Sequence, residues 1–249
     1  MIESALNETP VWKRPEVVAS FLNGSRRVIP LAETQFETVL RVIEAYDIVI
    51  QRFIDLGAGS GTLAAQILAR FPDAEATLID YSPPMLDAAR EAFASTGFDV
   101  RIVEADLTSE AWSSDADRGS YDAVVSGFAI HHLSDEGKRD VYESAFDLLR
   151  SGGLFINVEH VESASPELKG AFDRFMIEAL TGGEPQPVTL ARSSQIATEV
   201  HQRQDRAVNI LAPLGDQLDW LSDIGFESVD CYFKYFELAI FGGRKPIGR

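Results

Sequence analysis

The residues able to do chemistry fall at regular intervals along the first two thirds of the chain. Asp55 to Thr62 reads DLGAGSGT. Gly57, Gly59 and Gly61 alternate with Ala58 and Ser60, so the backbone there can take positive φ and come close to a ligand. A helix opening at Thr62 would offer unpaired N–H groups to a carboxylate. Asp55 is poor company for a pyrophosphate but suits the ammonium of an amino-acid ligand. A nicotinamide-binding loop reads G-x-G-x-x-G. Here Thr62 stands where its third glycine belongs, which argues against that class. No GK[ST] follows, so the loop is not a phosphate-binding P-loop. The bland alternative is a tight strand-to-helix turn with no ligand.

Further acids follow at strand ends. Asp80 closes ATLIDY (76–81), roughly 20 residues beyond the glycines, where a carboxylate can accept from both ribose hydroxyls. It could equally cap the helix opening at Pro83. Asp106 ends a third run in EAD and could accept from the exocyclic amine of adenine or simply cap a turn. DAVVSGFAIHHL (122–133) places Ser126 to Ile130 at a fourth strand end, on the ligand-binding edge of an open α/β sheet. His131 and His132 come next; as structural residues, one caps the loop and the other packs on the sheet edge. Glu159 and His160 end a fifth strand and are expected to face a substrate cavity. His160 is the candidate general base, because a neutral imidazole accepts a proton near pH 7. Glu159 and His131 are the other catalytic candidates. Arg26, Arg27, Arg203 and Arg206 read either as solvated surface or as a clamp for an anionic substrate. No metal site is expected. Adjacent histidines lack the i,i+4 spacing, and the one cysteine, Cys231, allows neither an intramolecular disulfide nor a cysteine zinc cluster.

Strands and helices must alternate to position these residues. Apolar runs at 52–57, 76–81, 99–106, 121–130 and 154–160 predict strands. Helices are predicted over 15–22, 31–48, 62–71, 84–96 and 135–149, with a turn at RSGG, 150–153. This rhythm implies βαβ units and a mostly parallel sheet covered on both faces. Residues 161–213 break it and read as a helical cap, with helices at 166–180 and from about 191 to 206. A final helix at 215–226 leads into two strands joined by a tight turn. The expected organisation is one structural domain in four stretches: covering helices in 1–50, a ligand-binding core in 51–160, the cap in 161–213, and a closing helix and hairpin in 214–249.

Bulk properties narrow the function classes. A net charge of −17 over 249 residues repels phosphate backbones, so nucleic acid is not an expected partner. The same field disfavours an anionic membrane surface. No apolar run reaches the roughly 20 residues of a membrane-spanning helix, and the opening MIESALNETP has no signal-peptide pattern. The expected compartment is the cytoplasm. The oligomeric state stays open, a homodimer included.

Taken together, the motifs resemble those of the class I S-adenosylmethionine (SAM)-dependent methyltransferases. DLGAGSG resembles their glycine motif, LIDYS their ribose acid, EADL their adenine-side motif, and DAVVSGFAIHHL their fourth-strand motif. LRSGGLFINVEH is similar to their turn into the fifth strand, and the ending in FGGRK to their final hairpin. The resemblance covers roughly residues 50–160 and 214–245. It implies a Rossmann-like seven-stranded sheet with an antiparallel last strand, SAM as cofactor, S-adenosylhomocysteine as product, and a small-molecule acceptor. It also implies cofactor contacts from Asp55, Gly57, Ala58, Gly59, Asp80, Tyr81, Met85, Asp106, Leu107, Ser126 and His131. RRVIPL (26–31), residues 161–212 and YFKYFELAIFGG are further similar to carboxy-SAM synthases, which bind SAM and carboxylate it. A SAM-binding protein without catalysis is the remaining alternative.

Overall fold

A computed structural model describes residues 9–20, 22, 30–109, 111–114, 116–180 and 208–248 of the protein. The apolar runs become strands β1 (Arg52–Leu56), β2 (Glu75–Asp80), β3 (Asp99–Glu104), β4 (Tyr121–Gly127), β5 (Leu149–His160), β6 (Glu227–Tyr235) and β7 (Leu238–Arg244). They form one seven-stranded sheet in the order β3-β2-β1-β4-β5-β7-β6. Strands β1 to β5 pair in parallel, and β7 runs antiparallel to both of its neighbours. The order reverses direction at β1, so the carboxyl ends of β1 and β4 flank the crevice where open α/β sheets bind ligands.

Both faces of the sheet are covered, and successive residues of each central strand point to opposite sides. Phe53, Val125, Ile156 and Ile240 pack on one side under α2 (Ala32–Ala45), α3 (Thr62–Arg70) and α4 (Pro83–Phe93). Ile54, Val124, Phe155 and Phe241 pack on the other, under α6 (Asp135–Leu148) and a helix at Leu214–Ile224, here α8. The remaining helices are α1 (Pro15–Ser20), α5 (Ala111–Ser114) and α7 (Pro166–Leu180). The glycine and proline signals act as expected. Ser82 caps α4 ahead of Pro83, and Gly225 ends α8 at φ 111°.

The structure differs from the sequence reading at two places near the site. RSGG is not a separate turn, because β5 already begins at Leu149 and carries an irregular register opposite Tyr121 to Ala123, with Gly152 at φ 78°. The fourth strand stops at Gly127, three residues early, because Phe128 takes φ 56° and turns the chain into a 3₁₀ turn at Ile130–His132. Another 3₁₀ turn, Val11–Lys13, precedes α1. The helix expected at about 191–206, with Arg203 and Arg206, lies outside the described residues, as do Arg26 and Arg27. Among the described residues, no helix is long and apolar enough to cross a membrane.

Candidate active site

The glycine loop sits between the end of β1 and α3. Gly57 and Gly59 both take positive φ, 62° and 56°. At Gly57 no side chain fits, because a Cβ would stand 2.1 Å from Cβ of Ala129. The loop is therefore pressed onto the segment after β4. At Gly59 the surroundings are open, with only the Met85 sulfur at 3.7 Å from such a Cβ.

Asp80 ends β2 and ties the loop to the next helix. Its Oδ2 accepts from Gly59 N–H and its Oδ1 from Ser82 N–H, each at 2.8 Å. Burial raises its pKa, outweighing the backbone hydrogen bonds that act the other way. Tyr81 beside it is pushed up to about 12 by burial, with the negative charges of Asp80 and Asp106 adding to the effect. Asp106 is exposed and does cap its turn, its Oδ1 accepting from Thr108 N–H at 2.9 Å and Thr108 Oγ at 2.8 Å.

These groups line one cavity of about 320 Å³. Its floor is Gly57, Ala58, Gly59 and Asp80; Tyr81, Met85, Asp106 and Leu107 form one wall, and Gly127, Phe128, Ala129 and His132 the other. Pro10 and Trp12 complete the lining from the N-terminal segment. Trp12 is fixed twice. Its carbonyl accepts from Ser82 Oγ, and its indole N–H donates to His132 Nε2 at 3.2 Å. An indole nitrogen only donates, so Nε2 is the bare nitrogen of His132 and the proton sits on Nδ1, facing the Val208 carbonyl at 3.4 Å.

A carboxylate that suits a diol, apolar walls that suit a planar ring, and a backbone loop at close approach make this a nucleoside-shaped site. A family model for the methyltransferase domain matches residues 53–153. The demethylmenaquinone methyltransferase of Thermus thermophilus is 33% identical over 126 residues, 49% of this chain and 51% of that one. The carboxy-S-adenosyl-L-methionine synthase of Trichodesmium erythraeum is 26% identical over 248 residues, 95% of this chain and 91% of that one. Among solved structures, an O-methyltransferase family protein from Burkholderia thailandensis superposes with a TM-score of 0.61 at 18% identity, covering 98% of this chain and 67% of that one. Residues 53–153 match a methyltransferase domain, and the chain has the fold of the class I methyltransferases. It spans about half the length of the Thermus methyltransferase but nearly all of the Trichodesmium synthase.

Within this methyltransferase-like fold the expected site residues divide into three groups. Gly57, Ala58, Gly59, Asp80, Tyr81, Met85, Asp106 and Leu107 meet around the one cavity. Ser126 and His131 point elsewhere. The Ser126 hydroxyl is fully buried and donates to the Leu56 carbonyl at 2.9 Å, and its successors Gly127 to Ala129 reach the cavity instead. Asp55 is buried with its Oδ2 accepting from Ala64 N–H at 3.1 Å, and it lines a neighbouring cavity.

The catalytic candidates form the third group, a buried polar chain behind the cavity wall. Glu159 accepts from His131 N–H at 3.0 Å and His160 N–H at 2.8 Å, and its Oε1 lies 2.5 Å from His131 Nδ1. Burial would raise the Glu159 carboxyl, but His131 and these hydrogen bonds prevail and hold it below the ordinary value. His160 Nε2 lies 2.6 Å from Glu237 Oε2, and Ser163 donates to the other Glu237 oxygen at 2.5 Å. Burial acts upward on Glu237 as well, and its partners His160 and Ser163 bring it below the usual range. Neither His131, Glu159 nor His160 is among the residues lining the two cavities. The same cluster anchors the stretch before the helix at Leu214–Ile224, with Ile210 N–H on the His131 carbonyl and Glu162 N–H on that of Ala212.

Sequence reasoning placed Phe128, within Ser126 to Ile130, on the ligand-binding edge, and missed Trp12 and His132 as lining residues. His132 carried a signal, since it follows the fourth-strand motif, but only the 3₁₀ turn decides which of two adjacent histidines faces the ligand. What the strand-end reading of Phe128 did not include is its left-handed backbone, a conformation that sequence does not announce and that functional sites tend to hold.

Proposed function

We propose that the protein transfers the methyl group of SAM to a small-molecule acceptor. The observation that carries this reading is Asp80, held by Gly59 and Ser82 at the floor of a 320 Å³ cavity beside the glycine loop. There the carboxylate would receive the ribose hydroxyls, while Tyr81, Met85 and Leu107 pack on the adenine and Asp106 lies at its edge. The bound cofactor supplies an electrophilic methyl on a sulfonium. The protein's share is alignment and exclusion of water. Trp12 lines the cavity, and Phe128 is shared between it and the neighbouring one. Among the described lining residues the one imidazole, His132, already has Nε2 occupied by Trp12. Positioning therefore does most of what this chain contributes, and an acceptor that is nucleophilic without losing a proton suits it best.

A second reading is favoured by one finding. The match to a carboxy-SAM synthase runs nearly end to end, whereas the Thermus methyltransferase matches half the chain. A carboxylated ligand needs a cation beside it. The described lining of both cavities contains no lysine or arginine, so that cation would come from Lys13, whose ammonium lies 5.7 Å from the Tyr81 ring, or from Arg26, Arg27, Arg203 or Arg206. The same four arginines are the candidate clamp for an anionic methyl acceptor.

Titration calorimetry with SAM and S-adenosylhomocysteine, followed by mass spectrometry of the nucleoside that co-purifies, tests both readings. Micromolar binding with unmodified SAM or its demethylated product supports methyl transfer. A co-purified carboxylated SAM moves the assignment to the synthase. No binding by ligand-free protein removes both.

A further inference from the structure

Trp12 connects the two walls of the nucleoside cavity. On one side its backbone is tied to the junction of β2 and α4. The Trp12 carbonyl accepts from Ser82 Oγ, and a backbone hydrogen bond joins Trp12 to Tyr81. On the other side its indole N–H donates to His132 Nε2 at 3.2 Å, in the turn after β4. Trp12, Tyr81, Ser82 and His132 all line the cavity.

The two ends of this strap differ in chemistry. The ties on the β2 side do not change with pH near neutrality, because a serine hydroxyl does not titrate and Tyr81 is pushed up to about 12. The His132 tie does change. An indole nitrogen only donates, so it needs a bare imidazole nitrogen. His132 carries its proton on Nδ1, facing the Val208 carbonyl at 3.4 Å, so a second proton goes to Nε2. Two N–H groups then face each other and the bond is lost. Imidazoles take up that proton between about pH 5 and 8.

The charges around His132 act on this equilibrium from each neighbouring element. The His131 ring lies 4.1 Å away between centroids, and the Glu159 carboxylate on β5 interacts with both imidazoles. Glu159 favours a protonated His132, and a charged His131 opposes it. On the strap side, Lys13 follows Trp12 and stands 5.7 Å from the Tyr81 ring, with Asp80 and Asp106 on the far side of the tyrosine's field. His160 and Glu237 form a separate pair.

We propose that Trp12 is a proton-controlled strap: neutral His132 ties the two walls together through the indole, and protonation of His132 frees the indole and weakens cofactor binding. The identity of the ligand rests on the SAM reading above. The sign follows from the bond. Only neutral His132 accepts, so the strap is closed where the imidazole is neutral and opens as pH falls. By linkage, a cofactor that favours the closed strap makes His132 harder to protonate.

Calorimetry with S-adenosylhomocysteine from pH 8 to pH 5 would compare the wild type, Trp12→Phe and His132→Gln, all as the full chain. His132→Gln puts an amide oxygen near the place of Nε2 and cannot titrate. On acidification the wild type should lose a few-fold to tenfold more affinity than His132→Gln, the worth of one hydrogen bond. Trp12→Phe should start weaker at pH 8 and then follow the slope of His132→Gln, because titration of Asp80 is common to all three. Parallel curves for the three proteins would overturn the proposal. A second measurement needs no ligand. One of the three tryptophan indole N–H resonances should shift between pH 8 and pH 5 in the wild type and stay fixed in His132→Gln, and S-adenosylhomocysteine should move its midpoint to lower pH. Indole resonances that ignore pH, or a midpoint that ignores the ligand, would also overturn it. If Trp12→Phe does not fold, the wild type and His132→Gln carry the comparison. Failure of the wild type to bind S-adenosylhomocysteine at pH 8 would instead sink the functional reading, and the indole titration would still decide the strap.

Discussion

Trp12 and His132, 120 positions apart, are joined by a hydrogen bond of 3.2 Å, and both line the larger cavity. One comes from a 3₁₀ turn before the first helix and the other from a 3₁₀ turn after β4. The bond holds the N-terminal segment over the site and fixes the tautomer of the imidazole. Trp12→Phe keeps an aromatic cover and deletes the donor. The expected outcome is a loss of S-adenosylhomocysteine affinity of a few-fold to tenfold, the worth of one hydrogen bond, with little change in melting temperature. Calorimetry and a thermal melt on the same sample check it. A large drop in stability with unchanged affinity would show that the segment holds the fold together rather than the ligand.

Asp80 is the side chain on which the cofactor reading depends. It receives Gly59 and Ser82 N–H in the free protein and would receive the ribose hydroxyls in addition. Asp80→Ala removes both roles, so S-adenosylhomocysteine binding should weaken by more than about a hundredfold, the scale of losing two charged hydrogen bonds. Burial raises the Asp80 pKa, so acidification protonates it sooner than an exposed aspartate. The Asp80-dependent part of the affinity should therefore fall as pH is lowered, starting from a higher pH than an exposed carboxylate would give. Calorimetry across an acid series reads this directly, and Asp80→Asn should lack the dependence.

The parts of this site that were legible in the sequence are those fixed by strand ends. In a parallel sheet the carboxyl ends of successive strands share one edge, so placing Asp80 and the glycine loop on strands was enough to bring them together. Trp12 and His132 were not legible for a different reason. Trp12 enters through the 3₁₀ turn at Val11–Lys13, and His132 through the 3₁₀ turn that follows the left-handed Phe128. The turn at Ile130–His132 also explains why His131, expected at the cofactor, is turned toward Glu159 while its neighbour faces the cavity. An i,i+1 pair in an irregular segment has no periodicity from which to read its direction.

Gly57 tests how tightly the loop must seat. An added Cβ would lie 2.1 Å from Ala129 Cβ, and the residue holds φ at 62°. Gly119 makes a matched control, at φ 71° with nothing within 4 Å of an added Cβ. Gly119→Ala should cost only the left-handed backbone penalty, about 1–2 kcal/mol. Gly57→Ala should cost about 1–3 kcal/mol more through the forced separation of the loop from the segment after β4, and should abolish S-adenosylhomocysteine binding. Denaturant unfolding of the two variants gives the difference, and equal destabilisation would show that the loop can shift to make room.

Glu159 offers a test of whether the buried polar chain is structural. Its carboxyl lies below the ordinary value of 4.5, because His131 and the hydrogen bonds it receives outweigh its burial. A carboxylate with a depressed folded pKa binds its proton less readily in the native than in the unfolded chain. It therefore adds stability that is fully present above about pH 4.5 and lost as pH falls through the folded value. Glu237, held down by His160 and Ser163 against the upward effect of its burial, acts in the same direction. Asp80, with its raised pKa, acts in the opposite one; its contribution is lost as pH rises from about 3.8. Glu159→Gln leaves Asp80 and Glu237 in place, so subtraction isolates the one group. The variant should be about 1–3 kcal/mol less stable at pH 7, since Gln keeps the shape but loses one acceptor and the charge facing His131. Its acid limb should be shallower than the wild type's, while S-adenosylhomocysteine affinity is preserved because Glu159 does not line the cavity. Denaturant unfolding at a series of pH values, paired with calorimetry at pH 7, measures all three. A variant of full stability that has lost turnover would instead return Glu159 to the role of an active-site acid or base.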